Sequence, residues 1–304
     1  MDDLSPGCSQ AECEWRVNVC RCQVGPEVMI CEVREGDNQV VKQVAGLVAF
    51  VWGCWKLNLA GAMEFRVSFM LTAGMMVVNN LVWIVFWGLY FQRFQVVNGW
   101  SLQDVMMMWA VSAGGFGLSA VLFGNAYRLA SLIASGQLDV FLSQPKPVLL
   151  HILISRMSVS AIGDVLFALL VYGLFGDTSL AGIFKFMLAL LIALLIFIFF
   201  VVIVQSLAFF IGNAEGIGQQ VFNGLLAFST YPTGIFSGWG KLILFTVIPA
   251  GFISYLPIGL LRSMEPVFVW QAIGVAAGLT IVGTAFFYYG LKKYSSGNSM
   301  GMRM

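Results

Sequence analysis

The sequence predicts an all-α integral membrane protein: six transmembrane helices, an interfacial N-terminal helix, and a re-entrant or broken hairpin before the last span. Three observations carry this. Of 304 residues, 59% are apolar and only 10% charged. A soluble domain carries about 25% charged residues, so this chain lacks the charge to cover a soluble surface. Mean hydropathy is +0.87. Apolar runs near the ~20 residues that cross a bilayer core recur along the chain. Charge is also lopsided, with eight of the fifteen acids in the first 37 residues. A net charge of +1 without a basic stripe offers nothing to nucleic acid.

Residues 1–40 are polar and without sustained period, and are read as a disordered extension. They hold five of the six cysteines, Cys8, Cys13, Cys20, Cys22 and Cys31, with Cys54 following. The spacing lacks the paired C-x-x-C of a zinc knuckle. No apolar core marks a secretory signal peptide. Translation from Met29 or Met63 would remove most of the extension; a metal or redox tail on the cytosolic side is the other reading.

The membrane domain is placed at 44–297. Val44–Phe65 is apolar with Trp52, Trp55, Lys56 and Arg66 as punctuation, which suits a helix at headgroup level. The six predicted spans are 67–91, 105–123, 157–175, 181–211, 222–261 and 267–291. The second is rich in small residues (Gly114, Gly115, Gly117) that permit close helix packing in lipid. Asp164 lies inside the third. Gly212–Gln220, with Glu215, reads as a polar break. The fifth is interrupted by Pro232, Gly238, Gly240, Lys241, Pro249 and Pro257. It is two spans, or one span with a broken or re-entrant piece buried in protein. The last carries Gly274-x-x-x-Gly278, a weak packing motif, and 298–304 is a short cytosolic tail.

With both termini cytosolic and six spans, twelve Lys and Arg fall inside and four (Arg93, Lys185, Lys241, Arg262) outside, the bias expected of cytosolic loops. That count puts Tyr127–Arg156 inside. This polar-punctuated stretch holds Arg128, Asp139, Lys146, His151 and Arg156 among Leu, Ile, Val and Phe. Leu132, Ile133, Leu138, Phe141 and Leu142 fall near helical spacing, so a short amphipathic helix is expected to offer a docking ridge until Pro145 and Pro147 re-aim the chain.

No G-x-x-x-x-G-K-[ST] phosphate loop, H-E-x-x-H or G-x-S-x-G occurs, and His151 is the only histidine. Asp164 and Glu215 are the acids weighed as intramembrane groups, and they fall on different elements. Asp164 is read as hydrogen-bonded to a neighbouring helix or paired with Arg156; a role in substrate passage or proton coupling is the alternative. Scarce intramembrane charge argues against ion coupling and for an external energy source.

At Ile133–Pro145 (IASGQLDVFLSQP), Tyr231–Gly238 (YPTGIFSG), Ile248–Pro257 (IPAGFISYLP) and Tyr288–Gly297 (YYGLKKYSSG), the chain resembles the permeases of type-2 ABC exporters, the bacterial branch called ABC-2 family transporter protein. The resemblance covers roughly Ala45–Gly297 and rests most on G-x-L-D-x-x-L-x-x-P and G-L-x-x-Y-x-S. It implies a multi-pass protein of the bacterial cytoplasmic (inner) membrane that is not itself an enzyme. Its partner would be a cytosolic ABC ATP-binding subunit that holds the ATP and Mg, leaving this chain without a cofactor. A second copy or a sister permease would complete the membrane part. It also implies a coupling site at Ile133, Gly136, Leu138, Asp139, Leu142 and Pro145, with Asp164 a possible intramembrane polar site. An ion-coupled secondary transporter, or a membrane scaffold without an ATPase, is the competing reading.

Overall fold

In a computed structural model, the described residues are 35–294 apart from 212, 213, 233, 235, 237, 247 and 263–265, with side chains from residue 42. Of the expected disordered extension at 1–40, residues 1–34 lie outside them, as do the five tail cysteines and the tail at 298–304; residues 35–40 are instead helical and open α1. Among the described residues every regular element is helical. The chain divides into two compact units at Trp52/Gly53. In the first, the described residues form the start of helix α1 (Glu35–Ala62).

The second unit begins with the rest of α1. Trp55 Nε1 donates to the Leu122 carbonyl at 2.9 Å and Asn58 Nδ2 to the Ile154 carbonyl at 2.9 Å. Helix α2 (Arg66–Arg93) follows a three-residue turn. A tight turn then returns the chain: Asn98 (φ 50°) and Gly99 (φ 80°) are both left-handed between the bridged Val97 and Trp100. Asn-Gly is the pair that adopts this double positive φ at least cost.

Helix α3 (Leu102–Phe123) starts with a capping box. Asp104 N–H donates to Ser101 Oγ and Ser101 N–H to the Asp104 carboxylate, satisfying two orphan donors of the first turn. A 3₁₀ turn (Gly124–Arg128) leads to α4 (Leu129–Ala134), α5 (Asp139–Leu142) and α6 (Val148–Ile154). The remaining helices are α7 (Ser160–Phe175), α8 (Leu180–Gln205, running on as 3₁₀ to Phe209), α9 (Ala214–Ser229), α10 (Trp239–Thr246), α11 (Ala250–Arg262) and α12 (Pro266–Leu291).

Helix α3 is the hub, packed against α7 and α8, with α2 on α7 and α12 on α8. Small residues set these distances. A Cβ on Gly115 would stand 2.5 Å from Ala193 Cβ on α8, and one on Gly163 would stand 2.2 Å from the Ala73 carbonyl on α2. The predicted close packing of the second span is therefore present, and Gly115→Leu is expected to abolish the well-folded chain in a detergent size-exclusion profile. By contrast, Gly274 and Gly278 have nothing within 4 Å of a built Cβ. The weak packing motif seats no other helix among the described residues.

Among the described residues, five helices are long and apolar enough to cross a membrane: the Lys42–Ala62 part of α1, α2, α3 continued to Ala134, α8 continued to Phe209, and α12. The bent pair α10 and α11, at 85°, makes six if counted as one span. Predicted spans 67–91, 105–123, 181–211 and 267–291 thus correspond to α2, α3, α8 and α12. The predicted third span is shorter than expected. It starts at Ser160, and 16 residues rise about 24 Å at 1.5 Å each, below the roughly 30 Å of a hydrocarbon core. The broken piece expected within 222–261 is the α10–α11 bend, with Pro257 inside α11. The polar break at 212–220 needs correction: from Ala214 onward it belongs to α9.

Candidate functional site

The Tyr127–Arg156 stretch folds as three short helices. Helix α4 ends in a Schellman cap: Gly136, at φ 74°, donates to Ile133 O at 3.3 Å while Gln137 N–H donates to Leu132 O at 3.1 Å. Glycine holds this left-handed position without Cβ strain. The expected continuous docking helix is therefore broken at Gly136. Its apolar residues also face two ways. Ile133 (1% exposed) and Leu138 (0%) are core, and Leu132 is buried with them, whereas Val140 (61%) and Leu142 (41%) are exposed. Asp139 and Pro145 are exposed too. Phe141 rests edge-on against His151 at 5.0 Å. Asn125 Nδ2, in the 3₁₀ turn after α3, ties that turn to the end of α6 through Ile152 O (3.0 Å) and Ser155 Oγ (2.7 Å). Tyr127 O accepts from Gln205 Nε2 on α8 at 3.2 Å.

The stretch also meets the end of the chain. The Tyr294 ring is edge-on to Phe209 at 6.3 Å, and Phe209 is edge-on to Phe287 at 5.7 Å. A Cβ on Gly290 would lie 2.4 Å from Phe209 Cδ2, so glycine lets this corner close. Burial pushes the Tyr294 phenol up to about 12, and the Asp139 carboxylate beside it adds to the rise. Their contact is not a hydrogen bond of normal length, since Tyr294 Oη is buried without a partner. Asp139 of the G-x-L-D motif and Tyr294 of the G-L-x-x-Y motif, far apart in sequence, are neighbours. Sequence reasoning missed Tyr294 as part of this site; the signal available was that the two motifs are specific in combination and neither is decisive alone.

Asp164 is 2% exposed on α7. Asn80 Nδ2 on α2 donates to its Oδ1 at 2.6 Å, and its Oδ2 is buried without a hydrogen-bond partner. Of the two partners considered from sequence, the neighbouring helix supplies the contact and Arg156 does not. Glu215 is exposed in the first turn of α9, where a carboxylate suits the helix dipole.

The opposite end of the bundle is held by charge. Arg262 Nε donates to Asp104 Oδ1 at 2.6 Å, Nη2 pairs with the other carboxylate oxygen, and Nη2 also reaches Gly99 O at 2.9 Å. Between α7 and α8, hydrogen bonds from Ser179 N–H (2.9 Å) and Oγ (2.8 Å) hold the Asp177 carboxyl below its usual range. A cavity of about 210 Å³ there is lined by Gln103, Asp104, Tyr172, Asp177, Lys185 and Arg262 among others. Among the described residues no three His, Cys, Asp or Glu side chains converge as a metal site would require.

Residues 77–298 match the family model described as ABC-2 family transporter protein. No curated protein and no solved structure matches the chain.

Proposed function

The chain belongs to the ABC-2 transporter family, and we propose that it is the permease subunit of an ATP-driven exporter, carrying a substrate out of the cytoplasm when coupled to a separate ATP-binding subunit. The observation that carries this is the split character of Ile133–Pro145. Ile133 and Leu138 anchor the loop in the bundle, while Asp139, Val140, Leu142 and Pro145 remain exposed around them. A surface of this kind, fixed from behind and apolar in front, transmits force from a docked partner into α3, α6 and α8. The absence of a phosphate loop from the sequence leaves ATP and its Mg to that partner.

The chain sits in the bacterial inner membrane with both termini cytosolic, as the distribution of Lys and Arg supports. The Gly53–Ala62 part of α1 lies in the cytosolic interface. Its two anchors, Leu122 and Ile154, sit in the last turns of α3 and α6, at the same end of the bundle as the coupling loop. A second copy or a sister permease covers part of the exposed apolar surface that α2 and α12 retain (Met70, Val78, Val82, Trp270, Ile281). The remainder meets lipid.

A cysteine at Ser143, exposed in the loop, is expected to react with a membrane-impermeant maleimide only from the cytosolic side. Reaction from outside would overturn the orientation. Co-purification with a co-expressed candidate ATP-binding subunit tests the coupling itself.

A second reading, ion-coupled transport without an ATPase, draws on Asp164 alone. One buried carboxylate with a free oxygen is the start of a relay, but no other acid is buried among the described residues, and relays are built from several.

A further inference from the structure

The cavity between α7 and α8 lies at the end of the bundle where α3 and α8 begin and α7 and α11 finish. Its lining carries four charged side chains, Asp104, Asp177, Lys185 and Arg262, beside apolar ones such as Met107 and Ile258. The formal charges cancel, but the hydrogen bonding does not. Asp104 takes Arg262 on both carboxylate oxygens, and one of them also accepts from the Ser101 N–H and hydroxyl. Asp177 accepts the Ser179 N–H on one oxygen and the Ser179 hydroxyl on the other. Both carboxylates are therefore engaged.

The donors are not. Arg262 commits Nε and Nη2 to Asp104 and Gly99 O, and its Nη1 makes no hydrogen bond among the described residues. Its side chain is 47% exposed, so Nη1 can be reached. Lys185, in the second turn of α8 and half-buried, makes no hydrogen bond or close ion pair among the described residues. It acts on Asp177 only as a charge through space. Two cationic donors on one cavity call for an anion that brings acceptors. A metal ion would find no free carboxylate there.

Depth names the anion. Helices α3 and α8 are both long and apolar enough to span, so their first turns stand where hydrocarbon gives way to headgroups. The anion abundant at that level is the phosphate ester. A volume of about 210 Å³ is below the ~300 Å³ at which pockets for drug-sized molecules begin; it fits a phosphate and the first carbons attached to it.

We infer that this cavity binds a phosphate ester, with Lys185 Nζ and Arg262 Nη1 donating to its oxygens and the attached carbons lying against Met107 and Ile258. The site draws nothing from the ATPase reading and stands or falls separately from it.

The test is calorimetric titration of the purified full-length chain, in an uncharged detergent and phosphate-free buffer, with hexyl phosphate, inorganic phosphate and hexanol. Hexyl phosphate is expected to bind saturably and hexanol not to. Lys185→Gln is expected to weaken hexyl phosphate about tenfold or more, the worth of a hydrogen bond to a charged group. Lys185→Arg keeps the charge and is expected to restore binding to within about threefold. Both variants meet the same detergent, so partition into micelles cancels between them. The source of the phosphate is read from the third probe. Hexyl phosphate binding about tenfold more tightly than inorganic phosphate, the margin of about two buried methylenes, supports a lipid headgroup; equal binding supports free phosphate in the same site. Saturable binding of neither phosphate by the wild-type chain overturns the inference, and so does hexanol binding as tightly as hexyl phosphate. These wild-type comparisons decide it even where Lys185→Gln fails to fold. Hexyl phosphate binding unchanged in a folded Lys185→Gln chain overturns it as well.

Discussion

Leu142→Lys is expected to leave the chain folded in the membrane and strip it of its ATP-binding partner, whereas Leu138→Lys removes the folded chain altogether. The two leucines are four residues apart in one motif and look equivalent in sequence. Leu138 is fully buried and Leu142 is 41% exposed. Replacing a buried leucine even by alanine costs about 2–5 kcal/mol, and an ammonium without a partner in that place costs more. A surface change of the Leu142 kind moves stability by about 0.5 kcal/mol or less. At the centre of a docked surface, however, such a residue is worth about 2 kcal/mol or more, roughly thirtyfold in association. Fluorescence size-exclusion and co-purification in parallel separate the two effects. If Leu142→Lys and Val140→Lys both keep the partner at wild-type levels, the docking surface lies elsewhere.

Asp139 takes a third position in this scheme. It is exposed beside the buried Tyr294 hydroxyl, so it stands where the loop meets the end of α12 as well as facing outward. Tyr294→Phe keeps the ring on Phe209 and removes the hydroxyl. It is expected to preserve partner binding while lowering transport per ATP hydrolysed, measured in reconstituted vesicles with the ATPase present. Unchanged coupling in Tyr294→Phe would show that the contact only fills space.

The long spans were legible because run length is a property of composition alone. Predicted 67–91 lies within α2 at Arg66–Arg93, and predicted 267–291 within α12 at Pro266–Leu291. The third span was not, because its start is set by tertiary contacts. Ser158 N–H donates to Ala120 O at 2.9 Å, and a Cβ on Gly124 would meet Arg156 O at 3.0 Å. These contacts hold Met157–Val159 out of the helix. Polarity misled at 214–220 for a related reason. Gly218 sits against the Gln205 side chain, its Cβ position 3.1 Å from Oε1, and Ser229 at the far end of α9 shares a hydrogen bond with Ser112 on α3 at 2.8 Å. Polar residues there serve helix contacts inside the bundle. Counting apolar spacing through Gly136 assumed one helix, although a glycine in that place is also the mark of a helix end. The sequence contained both signals, and only the backbone decides between them.

The Asn80–Asp164 pair is expected to show strong non-additivity. Asn80→Leu leaves a buried carboxyl without its donor, and Asp164→Leu leaves a buried amide without its acceptor. Each orphaned group costs about 1–3 kcal/mol. The double change Asn80→Leu/Asp164→Leu removes both polar groups together, and such replacements are often neutral or stabilising. In thermal melts of the detergent-solubilised chain, both single variants should therefore fall below the double variant. Additive losses would mean that the 2.6 Å contact contributes nothing of its own. Gly163→Leu is expected to be worse than any of these, because its side chain enters where the Ala73 carbonyl stands 2.2 Å from the Cβ position. It pushes α2 off α7 and breaks the same hydrogen bond. Asp164→Asn keeps an acceptor for Asn80 and should fold as well as wild type. On the ATP-driven reading it retains transport within about twofold, since no ionisable group at 164 is required. A folded Asp164→Asn protein that no longer transports would instead make the carboxylate a participant and restore the ion-coupled reading.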